Sequence, residues 1–442
     1  MSTPITDLAV QFLRDLIRFD TTNPPGNELP AAQYVADILR REGLNPVVLE
    51  STPGRGNVVA RLHGSSSDGA LLLMSHLDVV PADAKEWDHP PFAAEVVNGY
   101  IWGRGAVDTK QLTAMQLAVL VSLKRERVPL RRDIVLAATA DEEMGGTQGM
   151  AWLVQNHPEL VECQYAINEG GGFGVQIGGR SFYVCQTGEK GVCWMKLTAR
   201  GSPGHGSLPR ANNAVAKLCA AMARLAQARL PMHRTTTVER LVHHLAATQK
   251  FPVSLLLPLV LHPMFEGIIL KQAEKQSEIA AVLRATLHNT VSPTMLQAGQ
   301  KANVIPSEAT GTVDGRLIPG QKPEDLLREI RPYIGDEIEV EILGRSQPYE
   351  SDPASPLFDL FQQVLNEHDP GCTLAPFLVP GATDGRFLAE KGVKVYGFSP
   401  TKQEPGWAVL ELAHARNERI SLANVEFGTM VLYDVVRRFC SL

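Results

Sequence analysis

The 442-residue chain has no Cys-x-x-Cys pair. Its six cysteines stand apart at Cys163, Cys185, Cys193, Cys219, Cys372 and Cys440. That leaves no paired-thiol metal or redox motif, and they read as reduced, mostly buried thiols of a cytoplasmic protein. There is no basic excess: the net charge of -6 gives no reason to expect nucleic acid or an anionic membrane as partner. There is no basic-then-apolar signal pattern between Met1 and Arg14, which carries an early Asp7. Nor is there a membrane span. A spanning helix needs about 20 nearly uninterrupted apolar residues, and the one apolar stretch, 251–270, is broken by Pro252, Pro258, His262, Pro263 and Glu266. It reads as a kinked helical insertion with an exposed or partner-covered apolar face. No internal repeat or low-complexity tract is visible. At 44% hydrophobic and 20% charged residues the composition is that of an ordinary soluble globular protein. The length exceeds one compact core, so two or three domains are expected.

What the chain does have is a set of apolar runs that end in ligand-type residues. Residues 71–75 lead into His76-Leu77-Asp78, and Pro81 stops the run. A run buried on both faces predicts a central strand of a parallel sheet, and open α/β sheets place their chemistry just past the carboxyl ends of such strands. In His-x-Asp the carboxylate can fix the tautomer and aim of a metal-binding imidazole. Residues 134–140 form a second run, ending in Asp141-Glu142-Glu143-Met144-Gly145-Gly146, and 165–168 a third, ending in Glu169-Gly170-Gly171-Gly172. Consecutive carboxylates on a loop usually mean a solvated turn. Directly after a buried strand, with His76 ending its neighbour, they point to function instead. Gly103-Arg104-Gly105 leads to Asp108 and a helix over about 109–127; it lacks the ending of a phosphate loop and suits one carboxylate placed at a helix start.

Amphipathic helices are predicted over 5–18 and about 31–41, separated by the loop Thr21-Thr22-Asn23-Pro24-Pro25-Gly26, and a strand over 57–62. Trp87 to Phe92 reads as a packed aromatic turn with a structural His89. From about Gly191 the texture changes to a half-buried strand (192–199), a small-residue loop carrying His205, a helix (211–230), a Pro-punctuated helical stretch to Leu287, a strand (309–317), a helix (322–334) and a strand (337–343). That is an inserted β-α-β-type domain. The expected fold class is α/β: a catalytic domain with a central mixed, mostly parallel sheet over 1–189 and 346–442, and an inserted α+β domain over 190–345.

Collected, the ligand candidates are His76, Asp108, Glu143, Glu169 and His414. Two imidazoles with three carboxylates and no thiolate suit Zn2+, with Co2+ or Mn2+ as alternatives. Three carboxylates against two divalent ions leave one positive charge, which a hydroxide closes, and a balanced site is cheaper to bury. Two such ions make a hydrolytic centre. Glu142, adjacent to Glu143 and not needed as a ligand, is free to act as general base.

Ser75-His76-Leu77-Asp78-Val79-Val80-Pro81, Gly103-Arg104-Gly105 through Asp108-Thr109-Lys110, Asp141-Glu142-Glu143, Asn168-Glu169-Gly170 and His414-x-x-Asn417-Glu418 stand in this order along the chain. As a set they resemble the co-catalytic zinc metallopeptidase family of aminoacylase, acetylornithine deacetylase, succinyl-diaminopimelate desuccinylase and glutamate carboxypeptidase. The resemblance runs from Leu13 almost to the C-terminus. It implies that Asp108 bridges two metals, that His76 and Glu169 complete one site and Glu143 and His414 the other, that Asp78 orients His76, and that Glu142 is the general acid/base. It implies a cis peptide after Asp108. The inserted domain resembles a lid that also forms a homodimer. There His205 matches a residue that helps hold the tetrahedral oxyanion across the dimer, while Asn303 and Arg316 match positions that grip substrate. The loop carrying Gly381, Thr383 and Arg386 resembles a further substrate-binding loop of the catalytic domain. Two departures stand out: Gln111 replaces a Gly, and the lid is enlarged over about 230–298. The implied activity is cleavage of an amide or peptide bond next to a free carboxylate, with a carboxypeptidase or dipeptidase favoured and an N-acyl-amino-acid deacylase as the alternative. An inactive binding relative would have lost a ligand or the base, and all are present.

Overall fold

The structure is a computed structural model that describes residues 3–66, 68–177, 179–273, 279–407 and 409–442. The chain divides into two compact units. One comprises Met1–Thr187, Ser351–Phe377 and Thr383–Leu442; the other comprises Gly188–Glu350 and Leu378–Ala382.

In the first unit the strands Leu71–His76 and Ile134–Thr139 are buried at every residue, as an apolar run with no alternation requires. They pair in parallel, and Leu71–His76 also pairs in parallel with Tyr165–Asn168, which pairs in parallel with Lys394–Gly397. The register His76↔Thr139 and Asn168↔Gly397 brings the carboxyl ends of these strands to one edge. The sheet is mixed, as expected, and these four central strands are its parallel part among the described residues. Its flanks are antiparallel: Gly56–Leu62 pairs so with Ile134–Thr139 and with Val47–Glu50, the latter across a short turn that permits no other pairing, and Gly174–Ile177 pairs so with Arg180–Glu189. Lys110–Arg125 packs against the central strands and between the helices Ile5–Ile17 and Leu422–Cys440. It is buried from Lys110 to Leu123, which explains its weak amphipathic pattern. A small antiparallel sheet pairs Arg419–Ser421 with Tyr100–Trp102, so the loop carrying His414 meets the loop carrying Asp108. The Asp108–Thr109 peptide is cis. Trp87 is buried with the Arg104 guanidinium over its ring, and His89 is bonded to Glu95 at 2.7 Å.

The second unit is built on a four-stranded antiparallel sheet, ordered Thr290–Ala298, Glu308–Leu317, Gly191–Arg200, Ile338–Arg345. The helices Ala214–Ala226 and Pro323–Ile334 cover a core that includes Met195, Leu197, Leu218, Val313 and Leu326. The strand Thr290–Ala298 escaped the sequence reading because Pro293 lies inside it. Its edge position tolerates the missing N–H, and the register shifts beside it. The 251–270 stretch is broken as expected, into Val253–Leu256, a 3-10 turn Leu257–Leu261 and the helix Pro263–Ala273. Residues 274–278 of the enlarged 230–298 stretch lie outside the described residues. All six cysteines are free thiols. Among the described residues no helix is long and apolar enough to cross a membrane.

Candidate metal centre

Five side chains converge at the carboxyl edge of the central sheet in the first unit. His76 Nε2 lies 3.2 Å from Asp108 Oδ1 and 3.4 Å from Glu169 Oε2. His414 Nε2 lies 3.1 Å from Asp108 Oδ2 and 3.0 Å from Glu143 Oε2. Two triads result, His76–Asp108–Glu169 and Asp108–Glu143–His414, each with its ligand atoms within 4.8 Å of one another, and Asp108 turns one oxygen to each.

The electrostatics show what the cluster wants. Burial alone would lower the pKa of His76, yet Glu169 and contacts to Asp108 and Asp78 carry it well above 6.5. Hydrogen bonds to Asp108 and Glu143 raise His414 to about 10. Burial opposes ionisation of Asp108, but the two imidazoles hold its pKa below the usual carboxylate range. Three carboxylates thus draw positive charge into a buried space where only imidazolium protons supply it. One oxygen of Glu143, Oε1, is buried without a hydrogen-bond partner. A nitrogen-and-oxygen donor set in two triads, short of positive charge, fits two divalent cations.

The loops that present these groups are tied from behind. His76 Nδ1 sits 2.9 Å from the Asp78 backbone carbonyl and 3.4 Å from its carboxylate, so the carbonyl is the closer partner that aims the ring. The Asp78 carboxylate instead accepts the backbone N–H groups of Glu142 and Glu143, each at 3.1 Å. Asn23 donates to Asp78 at 2.8 Å and to Asp141 at 3.2 Å. Arg55 donates to both oxygens of Glu28 and to Asp141, all at 2.8 Å. Asp141, at φ 73, accepts in turn from Gln148 N and Thr147 Oγ1. On the other side Glu418 accepts from Val107 N at 2.7 Å, Asp108 N at 3.1 Å and Arg104 at 2.6 Å, and Arg104 also donates to the His414 carbonyl. Arg55 and Glu28 escaped the sequence reading. Asn23, Arg104, Asp141 and Glu418 stand inside motifs singled out there, but without a role.

Glu142 lies outside both triads. Burial raises its pKa well above 4.5, and Glu169 and Asp384 add to the rise while His76 opposes it. Asn168 donates to Thr383 at 3.0 Å, joining the end of the strand that leads to Glu169 to the segment 383–386. The Arg386 guanidinium is spent on the carbonyls of Thr383 (2.6 Å) and Gly145 (2.8 Å). It clasps the loop after Glu143. Gly146, at φ +70, sits against the Asp384 carboxylate so closely that no Cβ would fit.

The remaining candidates belong to the second unit. His205 is exposed, with Nδ1 2.7 Å from Ser207 Oγ, on a two-residue ladder that pairs Gly204–His205 with Val304–Ile305. The Asn303 carbonyl accepts from Gly206 N. Arg316 is held by Asp314 through Nε at 2.7 Å and a second nitrogen at 3.0 Å. Gly381 lies in the 378–382 piece of this unit.

A family model, described as peptidase family M20/M25/M40, matches residues 72–438. The chain belongs to this family. It is therefore a metal-dependent peptidase or amidohydrolase. The N-fatty-acyl-amino acid synthase/hydrolase PM20D1 of Xenopus tropicalis is 31% identical over 366 residues, which is 80% of this chain and 69% of the relative. Aminoacylase-1 of Sus scrofa is 27% identical over 439 residues, 96% of this chain and 94% of the relative. In three dimensions the M20 chain resembles the metallo-carboxypeptidase Sso-CP2 of Sulfolobus solfataricus at a TM-score of 0.71 and 18% identity, covering 97% and 98% of the two chains.

Proposed function

We propose that the chain hydrolyses an amide whose amine half carries a free carboxylate, using two divalent ions, Zn2+ in the first instance. The observation that carries this reading is the pair of triads sharing Asp108, with Glu142 beside them and in neither. His76, Asp108 and Glu169 would hold one ion, and Asp108, Glu143 and His414 the other. When bound, such ions supply Lewis acidity that polarises a carbonyl and acidifies water. Glu142 takes the proton of the attacking water and returns it to the leaving amine nitrogen. Arg316 offers its remaining guanidinium edge to the carboxylate of the substrate. Asn303, Gly381 and Thr383 are assigned to substrate binding. Arg386 contributes by holding the loop that carries Glu142.

Peptides and N-acyl amino acids share this scissile bond. The relatives named N-fatty-acyl-amino acid synthase/hydrolase and aminoacylase-1 weight the reading toward an N-acyl amino acid. A probable carboxypeptidase S-like 2 of Dictyostelium discoideum, 28% identical over 379 residues, keeps the peptidase reading in place. A homodimer through the second unit belongs to the proposal, supported by the exposed Met295 and Leu296 on the edge strand Thr290–Ala298. In that dimer His205 reaches the oxyanion in the site of the other copy. Six free thiols favour a cytoplasmic location.

The test is a hydrolysis screen of dipeptides against short- and long-chain N-acyl amino acids, on protein loaded in turn with Zn2+, Co2+ and Mn2+. Release of free amino acid from the N-acyl series is expected. Protein carrying two ions that cleaves neither class with any of the three metals would overturn the proposal.

A further inference from the structure

The exposed apolar side chains of this molecule are not scattered. Of the nineteen large hydrophobic residues exposed among the described residues, eight fall between Phe251 and Ile268. Phe251 is 82% exposed, Leu255 68%, Met264 71% and Ile268 72%. Singly exposed apolar residues need no explanation, but a run of this density on one insertion does. The insertion is not a loose loop. Val260, Leu261 and Leu270 face inward, into a cluster with Val238 and Val242 of the helix Thr236–Thr248 and with Leu283 and Leu287. The 3-10 turn Leu257–Leu261 and the helix Pro263–Ala273 are thus anchored by one side and present the other outward.

The charges on the segment are sorted in the same way. Its one acid between residues 250 and 271, Glu266, is buried, with His288 at 3.2 Å and Arg284 at 3.6 Å. Its two lysines, Lys250 and Lys271, are exposed and stand at the two ends. The outward surface is therefore apolar in the middle, cationic at both ends and free of carboxylates along its own length. An apolar middle with lysines at its two ends complements a lipid surface, whose acyl boundary takes apolar side chains and whose anionic headgroups take ammonium groups. The overall charge of -6 does not oppose this. At physiological salt a charge is screened beyond about 8 Å, so only groups near the segment act on what it touches.

We propose that the 251–268 segment docks the protein on a lipid surface containing anionic headgroups. It lies in the headgroup layer without spanning it, because Pro252, Pro258 and Pro263 break it into pieces too short to cross. The proposal is independent of which amide the enzyme cleaves.

The experiment is co-sedimentation of the full-length, metal-loaded protein with sucrose-loaded vesicles, either of phosphatidylcholine alone or of equimolar phosphatidylcholine and phosphatidylglycerol. Sedimentation with the mixed vesicles is expected, with weaker binding to phosphatidylcholine alone. The combined Phe251→Ser, Leu255→Ser, Ile268→Ser variant alters exposed residues only and should keep its turnover of a short, soluble substrate, while its partitioning falls by about tenfold or more. Lys250→Glu with Lys271→Glu should lower binding to the mixed vesicles and leave the phosphatidylcholine result unchanged. Three outcomes overturn the proposal: no sedimentation of the parent with either vesicle, undiminished sedimentation of the triple serine variant, or an effect of that variant confined to the monomer–dimer equilibrium in solution. The last would make the segment an interface between copies.

Discussion

The two halves of the metal centre use the same donors and are held in different ways. Each combines one imidazole and one carboxylate with the shared Asp108. On one side the His76 side chain is 2% exposed and ends a strand buried along its whole length. On the other the His414 side chain is 56% exposed and sits on a loop in the left-handed region, at φ 62. A strand end is positioned by the sheet around it. A loop has to be positioned by particular partners, and here they are Arg104 and Glu418, which tie the His414 carbonyl and the Asp108 backbone together. One half of the centre is a property of the fold; the other rests on a buried ion pair.

The largest expected effect belongs to the residue outside both halves. Glu142→Ala should lower kcat by about 10²- to 10⁴-fold, the usual loss for a general base, and leave two ions bound. Glu143→Ala should lose at least one ion. Metal analysis beside turnover decides. If Glu142→Ala carried a single ion, Glu142 would be a ligand and the division into triads would be wrong.

The next effect compares the halves directly, on metal-stripped protein. His76→Ala removes a buried ring with several polar contacts and should cost about 2–4 kcal/mol of stability. His414→Ala removes a ring already more than half in water and should cost less than His76→Ala, although it takes a cation from Asp108 and Glu143. Both should abolish most turnover once metal is restored. Equal shifts in melting would mean that burial does not separate the halves.

A smaller effect is expected from Arg55, the anchor behind the loop that delivers Glu143. Arg55 touches neither triad; it acts through Asp141. Arg55→Met should lower kcat by about 10- to 100-fold, the range for residues that orient ligands, with little change in KM. Arg55→Lys should restore part of it, and guanidinium added to the Met variant should restore more than added ammonium does. A loss of activity that follows only a loss of fold, with no rescue by guanidinium, would reduce Arg55 to a structural role.

The same contrast decides what could be read from the sequence. His76, Glu143 and Glu169 were legible because each stands at or just past the end of a mostly apolar run, and parallel pairing puts such run ends on one edge. His414 follows no strand; only its place in an ordered set of motifs singled it out. Arg55 left no local signal, since its partners Glu28 and Asp141 are 27 and 86 residues away. The strand Arg180–Glu189 was missed for a related reason: its polar residues Gln186, Thr187 and Glu189 are buried, so no alternation of apolar and polar marks it. In the second unit the exposed face of 251–268 was foreseen from its composition, but the inward turn of Glu266 depends on His288 and Arg284, which no pattern within the stretch shows.

The smallest effect is one of timing, and it tests the comparison without mutating a ligand. If the His414 half is the more open, a dilute chelator should remove the two ions in sequence. Chelators take a metal by entering its coordination shell, so the ion whose ligands include an exposed imidazole on a loop is the more accessible. His76, which with Glu169 would hold the other ion, ends a buried strand and has its imidazole fixed from behind by the Asp78 carbonyl. Metal content followed against time should fall in two phases of about equal size, and activity should vanish with the first. The assignment of the phases follows from weakening one half: Glu418→Gln loosens the Arg104 tie and should speed the fast phase while leaving the slow one unchanged. A single phase, or a Glu418→Gln variant whose slow phase alone accelerates, would mean that the two ions leave as one unit or in the opposite order, and exposure of His414 would then be no guide to how the centre is held.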